Sequence, residues 1–99
     1  MEITEKKNEG QIILEVSGSV DTVTSPELQR SILTSFQKSK ELVLDMSGVP
    51  YMSSAGLRAL LIGQKTAASK GGTMTVTGVQ STVMQVLEMS GFSKVLTIK

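Results

Sequence analysis

Residues 41–58, Glu-Leu-Val-Leu-Asp-Met-Ser-Gly-Val-Pro-Tyr-Met-Ser-Ser-Ala-Gly-Leu-Arg, decide the fold of this chain. The first six form a short apolar run with polar ends, which is typical of a buried central strand. A loop with Gly48 and Pro50 follows, and a helix is expected to begin near Ser54. A helical pattern also precedes this strand, which indicates crossover connections with parallel strand pairing.

On the N-terminal side, the pattern predicts a hairpin. Two strands, Ile3 to Lys7 and Gln11 to Ser17, are joined by Asn8-Glu9-Gly10. Apolar residues occupy every second position of the second strand, so one of its faces is wholly apolar. These residues are Ile12, Leu14 and Val16.

A first helix is predicted after the loop Gly18-Ser19-Val20-Asp21. Ser25 before Pro26 gives an N-cap with proline at the first helical position. Thr24 with Glu27 offers a competing capping-box register. In either register the helix runs to about Ser39, with one apolar face. That face carries Leu28, Ile32, Leu33 and Phe36.

The C-terminal half predicts two more helices and two more strands. The helix from Ser54 runs to about Ser69, and Gly71-Gly72 ends it. Its expected inner stripe is Leu57, Leu60, Leu61, Gln64 and Ala68. A strand at Thr73 to Thr77 precedes a third helix, which is marked by Val79, Val83, Val86 and Leu87. Gly91 is expected after that helix with Phe92 folding back, and Val95 to Ile98 is expected as the last strand.

These elements predict a single α/β domain over residues 1–99. It has a small mixed sheet of about five strands, opened by the hairpin, with helices packed on it. The length of 99 residues and the 39% hydrophobic content suit one core.

Composition excludes several kinds of chemistry. The chain has no cysteine and no histidine, so disulfides, thiol catalysis and a Ser-His-Asp arrangement are absent. The net charge of +1 does not argue for nucleic-acid binding, which needs a concentrated basic patch. No basic-then-apolar leader and no apolar run of about 20 residues is present, so we expect a cytoplasmic protein without membrane insertion.

The search for a catalytic motif finds none. Phosphate-binding glycine loops are missing, and Met52-Ser53-Ser54-Ala55-Gly56 departs from a nucleophile elbow at its first residue. Asp21 and Asp45 are the only aspartates, too few for a dedicated metal site, and are better explained as loop-fixing hydrogen-bond acceptors. We therefore expect no enzyme activity, no metal and no cofactor.

The helix start at Ser54 is the main candidate site. Free N–H groups and the positive end of the helix dipole favour a phosphate there. Phosphorylation would add between about −1.5 and −2 charges to a nearly neutral surface. The alternative is that Ser53 or Ser54 is only an N-cap, which the residues alone favour.

The same segment resembles the STAS family, and within it the anti-sigma factor antagonists. The resemblance rests on Asp45-Met46-Ser47, on Ser53-Ser54-Ala55-Gly56-Leu57 and on Gly18-Ser19-Val20-Asp21, which is similar to the family's Gly-x-Leu-Asp. Met89-Ser90-Gly91-Phe92 also resembles the family's end to the last helix. The order and spacing of these pieces cover the whole chain.

This resemblance implies a switch. The unphosphorylated antagonist would bind an anti-sigma factor that is also a serine kinase, and so free a sigma factor. Phosphorylation of one serine, matched by Ser54, would release the complex, and a PP2C-type phosphatase would reverse it. A STAS subunit of a lipid-transport ABC complex, or another STAS-based interaction module, is the alternative.

One departure from the family pattern concerns the residue before the phosphoacceptor. Well-known members have aspartate there, whereas this chain has Ser53, which makes Ser53 a second candidate for phosphorylation. The resemblance also assigns Asp21 and Met52 to the partner surface beside the two serines, together with Gly56 and Arg58 on the first turns of the helix. For Met52, a place in the core is the alternative. For Gly56 the alternative is that it allows close packing, and for Arg58 that it is a solvated cation.

Overall fold

The computed structural model describes residues 1–99, which form a five-stranded sheet and three α-helices. The strands are β1 (Glu2–Asn8), β2 (Gln11–Ser17), β3 (Glu41–Gly48), β4 (Thr73–Thr77) and β5 (Thr97–Ile98). The helices are α1 (Ser25–Lys38), α2 (Ser54–Ser69) and α3 (Ser81–Ser90), with a short 3₁₀ helix at Phe92–Lys94. The predicted α/β class and order of elements are confirmed.

The strands lie in sequence order across the sheet, β1-β2-β3-β4-β5. β1 and β2 pair antiparallel, and every later neighbour pairs parallel. The hairpin turn has positive φ at both central residues, 52° at Glu9 and 85° at Gly10, as tight hairpins prefer. The sheet is therefore mixed and opened by a hairpin, as predicted.

The core lies on one face of this sheet. From β2 onward, each helical crossover leads to the next strand in the same direction across the sheet. Because such crossovers are all right-handed, they place their helices on the same face of the sheet. Burial agrees, because Leu42, Leu44 and Met46 of β3 are at most 1% exposed whereas Val43 and Asp45 between them are only half-buried. The cluster of 21 buried hydrophobic residues thus forms between the helices and one sheet face.

The inner stripe of α2 differs from the predicted one. Leu61 and Gln64 are half-buried and Ala68 is exposed, so the prediction that they line the core is wrong. The buried residues of α2 are Gly56, Leu57, Ala59, Leu60, Gly63 and Ala67. The error has a physical cause: glycine and alanine let α2 pack closely, but they contribute little to a hydrophobic pattern.

Gly63 lies at a close contact between the middle of α2 and its neighbours. A Cβ at this position would lie 2.7 Å from Met74 Sδ and 2.9 Å from Ile32 Cγ2. Met74 belongs to β4 and Ile32 to α1, so the missing side chain lets both elements approach α2. The close contact of the two helices depends on this glycine.

One capping bond and one element end differ from the predictions. The N-cap of α1 is Thr24, as in the second predicted register, but its side chain makes no capping bond, so no capping box forms. The last strand is shorter than Val95 to Ile98, because Phe92–Lys94 forms a 3₁₀ turn and leaves Thr97–Ile98 as the strand. Gly91 adopts the left-handed conformation predicted for it, and Phe92 packs against the core. No helix is both long and apolar enough to cross a bilayer.

We predict that Gly63→Val lowers the free energy of unfolding by about 2 kcal/mol, because the added side chain overpacks the contact with Ile32 and Met74. Urea titration followed by circular dichroism measures the change. Ala68→Val on the exposed side of the same helix is the control, with a loss of about 0.5 kcal/mol from helix propensity alone. Equal losses in the two variants would contradict the packing argument.

Candidate functional site

The loops that follow β2 and β3 are joined by backbone hydrogen bonds. Gly18 N donates to Gly48 O over 2.8 Å, and Val20 N donates to Tyr51 O over 3.0 Å. Ser53 N donates to Val20 O over 2.8 Å, and Val20 and Met52 form an isolated parallel bridge. Pairing between the two chains therefore continues beyond the strands and carries residues 18–21 to the start of α2.

Asp21 organises the turn that leads into α1. Its Oδ1 accepts hydrogen bonds from Val23 N (2.9 Å), Thr24 N (3.0 Å) and Thr24 Oγ1 (3.2 Å). Thr24 Oγ1 in turn accepts from Asp21 N over 2.9 Å. The Thr24 hydroxyl is therefore used in the turn, which explains why it does not cap the helix.

The same hydrogen bonds change the acidity of Asp21. The bond from Thr24 N, followed by those from the Thr24 hydroxyl and Val23 N, lowers the pKa of this carboxyl below its ordinary value of 3.8, although partial desolvation opposes the effect. Asp21 is therefore an ionised turn-former. Asp45 acts similarly, since its Oδ1 accepts from Ser47 N over 3.0 Å. The interpretation of both aspartates as loop-fixing acceptors is confirmed.

The two serines at the start of α2 have different environments. Ser54 is the first residue of the helix and is exposed. Ser53 occupies the N-cap position with extended backbone (φ −84°, ψ 175°), but its hydroxyl makes no capping bond. Ser53 Oγ is buried and has no hydrogen-bond partner. The predicted N-cap position is therefore confirmed for Ser53, but the side-chain hydrogen bond expected of an N-cap is absent.

The first intrahelical bond of α2 runs from Leu57 N to Ser53 O over 3.0 Å. The N–H groups of Ser54, Ala55 and Gly56 precede it and have no acceptor within the helix. With no side-chain cap present, these donors and the positive end of the dipole remain available to an anion at Ser54.

Two of the predicted partner-surface residues lie inside the protein. Met52 is 2% exposed, so its predicted contact with a partner is wrong and the alternative, a place in the core, is confirmed. Gly56 is also buried: a Cβ there would lie 2.6 Å from Met52 Cγ and 2.9 Å from Val20 Cγ1. Both residues fix the start of α2 against the loops, and neither offers a side chain to a partner.

The exposed residues near the start of α2 include two that the sequence did not single out. Val23 and Tyr51 are 85% and 55% exposed, and they lie in the two loops that precede α1 and α2. Arg58, which the sequence did assign to the surface, is exposed. A hydrophobic pattern cannot separate such loop residues from core residues, since both are simply apolar.

The loop between β3 and α2 is also tied to α3. Thr82 Oγ1 donates to Pro50 O over 3.0 Å, and Gln80 Nε2 donates to Ser47 O over 2.8 Å. The loop that leads to Ser54 is thereby held on two sides, by residues 18–21 and by the start of α3. What this arrangement provides is an accessible serine hydroxyl on a rigid surface, without a neighbouring catalytic base.

The chain is similar to known proteins in sequence and in fold. The family model described as STAS domain matches residues 2–99. The chain is 30% identical to the anti-sigma F factor antagonist of Paenibacillus polymyxa over 100 residues, which cover 99% of this chain and 86% of that protein.

Two solved structures superpose on the chain, and at their low identity they show the fold alone. TM1081 from Thermotoga maritima gives a TM-score of 0.90 at 16% identity, with 97% of this chain and 84% of that chain covered. The Bacillus cell fate determinant SpoIIAA in its phosphorylated form gives a TM-score of 0.76 at 15% identity, with 99% and 91% covered.

The fold and the family match together define a STAS domain. More particularly, the chain belongs to the STAS-domain anti-sigma factor antagonist family.

The Asp21 turn predicts a pH dependence of stability. Because the folded-state pKa lies below 3.8, the ionised carboxylate stabilises the fold above about pH 4, and this contribution is lost as the pH falls through the folded-state value. We expect the unfolding temperature of Asp21→Asn to change less with pH than that of the parent between pH 2 and 5, roughly the titration range of the carboxyl. Thermal unfolding across this range measures it.

Asp21→Ala is the comparison for Asp21→Asn. At pH 7 the alanine variant should unfold at a lower temperature than the asparagine variant, because an amide oxygen can still accept from Val23 N and Thr24 N. Asp21→Asn with the same acid profile as the parent would show that the charge of Asp21 has no role in stability.

Proposed function

We propose that this protein is an anti-sigma factor antagonist controlled by phosphorylation of Ser54. In its unphosphorylated form it binds an anti-sigma factor with serine kinase activity and so frees a sigma factor. The kinase transfers a phosphoryl group from ATP to Ser54, which ends the interaction, and a PP2C-type phosphatase hydrolyses the phosphoserine. The protein itself is a non-enzymatic cytoplasmic switch, and ATP and magnesium belong to the kinase.

The observation that carries this proposal is the exposure of Ser54 on an uncapped helix start. The hydroxyl is accessible, and the unpaired N–H groups of the first turn favour a phosphate on it. Family membership supports the kind of partner, since the Paenibacillus polymyxa relative is named an anti-sigma F factor antagonist.

The structure also favours Ser54 over Ser53 as the phosphoacceptor. Ser53 Oγ is buried, so phosphorylation there would require α2 to move away from the loops. A phosphate on Ser54 would need no such movement, because this residue is exposed. Serine in place of the family's usual aspartate thus adds a hydroxyl without adding an accessible target.

The partner surface that we propose surrounds Ser54. It comprises Val23, Tyr51, Ser54 and Arg58, with Asp21 shaping the loop that carries Val23. Exposed apolar residues beside a phosphorylation site suit reversible binding. A phosphate among them would have to be desolvated when a partner binds, which lowers the affinity. The buried Met52 and Gly56 support this surface from below.

We predict that incubation with the cognate kinase and ATP adds one phosphate, at Ser54, because only this hydroxyl of the pair is accessible. Mass spectrometry of the peptide containing both serines locates the phosphate. Ser53→Ala should still be phosphorylated, whereas Ser54→Ala should not. Phosphate on Ser53, or on neither serine, would refute the proposed switch.

We further predict that Ser54→Asp weakens binding to the anti-sigma factor by about tenfold, or roughly 1.4 kcal/mol, because it places a desolvated charge in the contact. Ser54→Ala should bind as tightly as the parent and should remain bound when ATP is added. Isothermal titration calorimetry measures both, and Ser69→Asp, at the far end of α2, is the control for added charge. Parental affinity for Ser54→Asp would refute the electrostatic mechanism.

The alternative, a STAS subunit of a lipid-transport ABC complex, predicts a different binding partner in an affinity purification. Affinity purification would recover an ABC-type ATPase in place of a kinase. No feature of the site favours it.

A further inference from the structure

Two arginines face a groove beside Ser54. The groove has a volume of about 420 Å³ and lies between the first turns of α1 and α2. Its lining residues are Ser25, Pro26, Gln29, Arg30, Ala55 and Arg58. Arg30 is contributed by α1 and Arg58 by α2, and none of the lining residues is acidic.

Neither arginine has an ionic partner. The two ion pairs of the protein join Lys6 to Glu15 and Lys38 to Glu5, both away from the groove. No carboxylate oxygen lies within 4.0 Å of Arg30 or Arg58. The lining of this groove thus carries two cations and no carboxylate, although Arg30 also lines a second groove that contains Glu2, Glu5 and Glu27.

We propose that this groove holds the phosphate of phosphorylated Ser54, with Arg58 as its main ligand and Arg30 as a second cation on the opposite wall. The inference rests on the proposed function, in that it takes Ser54 as the phosphorylated residue. It goes further by identifying residues of this chain that bind the phosphate, in addition to the helix start.

The spacing of Ser54 and Arg58 suits this contact. Residues four apart on a helix are neighbours on its surface, with Cβ atoms about 5–6 Å apart, and the anion is in the favourable N-terminal position. A guanidinium can donate two parallel hydrogen bonds to phosphate oxygens, which fixes orientation as well as charge. Ser54 is not among the residues that line the groove, but its neighbour Ala55 is, so a phosphate on Ser54 would enter the groove from its side.

The contact has a consequence for the switch. In the unphosphorylated protein Arg30 and Arg58 are free to meet acidic groups of a partner. Once Ser54 is phosphorylated, its phosphate neutralises both cations. Phosphorylation would then add between about −1.5 and −2 charges to this surface, and it would occupy the two arginines that acidic groups of a partner could otherwise contact.

The test uses full-length protein with phosphoserine incorporated at position 54 during synthesis, so it does not depend on any kinase. ³¹P NMR gives the second pKa of the phosphate, which is about 6 in a free phosphoserine. In Arg58→Gln this pKa should rise by about 0.3 pH unit relative to the parent, because a stabilising cation is lost. Arg30→Gln should give a smaller rise, and Arg58→Lys should fall between the parent and Arg58→Gln.

Lys65→Gln is the matched control. It removes the same charge from an exposed position of α2 that lies about 16 Å along the helix axis from Ser54, which is beyond the Debye length of about 8 Å at physiological ionic strength. Asp21 and Glu27 are the acidic residues on the neighbouring turn and helix, and they are unchanged in every variant. Urea unfolding of the unphosphorylated variants checks that Arg58→Gln folds as the parent does.

The inference would be overturned if the second pKa of the phosphate were the same in the parent, Arg58→Gln and Lys65→Gln. It would also be overturned if this pKa rose equally in Arg58→Gln and Lys65→Gln. These results are separate from those for the proposed function. A kinase that does not phosphorylate Ser54 refutes the switch and leaves the arginine contact measurable, while an unchanged phosphate pKa refutes the contact and leaves the switch intact.

Discussion

The backbone pairing of the loops after β2 and β3 is the constraint on which the rest of this structure depends. Ser53 N donates to Val20 O, and Val20 N donates to Tyr51 O, so that two loops behave as a continuation of the sheet. Loops usually lie on the surface with their backbone groups in water, and are correspondingly mobile. Here the pairing satisfies buried donors and acceptors, and it fixes the position from which α2 begins.

Close packing beneath the site has the same origin. Gly56 lets α2 approach Met52 and Val20, and Gly63 lets the middle of the helix approach Ile32 and Met74. Each glycine costs helix propensity, roughly 1 kcal/mol relative to alanine. The close approach of α2 in turn buries core side chains, since Val20 and Met52 are at most 2% exposed. A helix that is fixed at its first turn can present Ser54 without the side-chain cap that most helices use.

The absence of a side-chain cap at α2 bears both on stability and on the proposed phosphorylation of Ser54. Ser53 stands at the N-cap position, yet its hydroxyl is buried without a partner, at a cost of the order of 1–3 kcal/mol for an unsatisfied group. The helix start therefore keeps donors that a capped helix would have used. A phosphate on Ser54 could be stabilised by those donors and by the arginines of the adjacent groove, so the same local defect that weakens the fold favours the modified state.

The sequence by itself determined the α/β class, the order of the elements and the composition that excludes cysteine and histidine chemistry, because these depend on local periodicity and on residue types alone. It also placed Ser54 at a helix start, and the resemblance to the STAS antagonists identified the family. The packing of distant segments decides which serine is accessible, places Met52 in the core, and brings Arg30 and Arg58 to the same groove. Accessibility depends on what packs against a side chain from distant parts of the chain, such as Val20 against the start of α2. No local pattern in the sequence records such contacts.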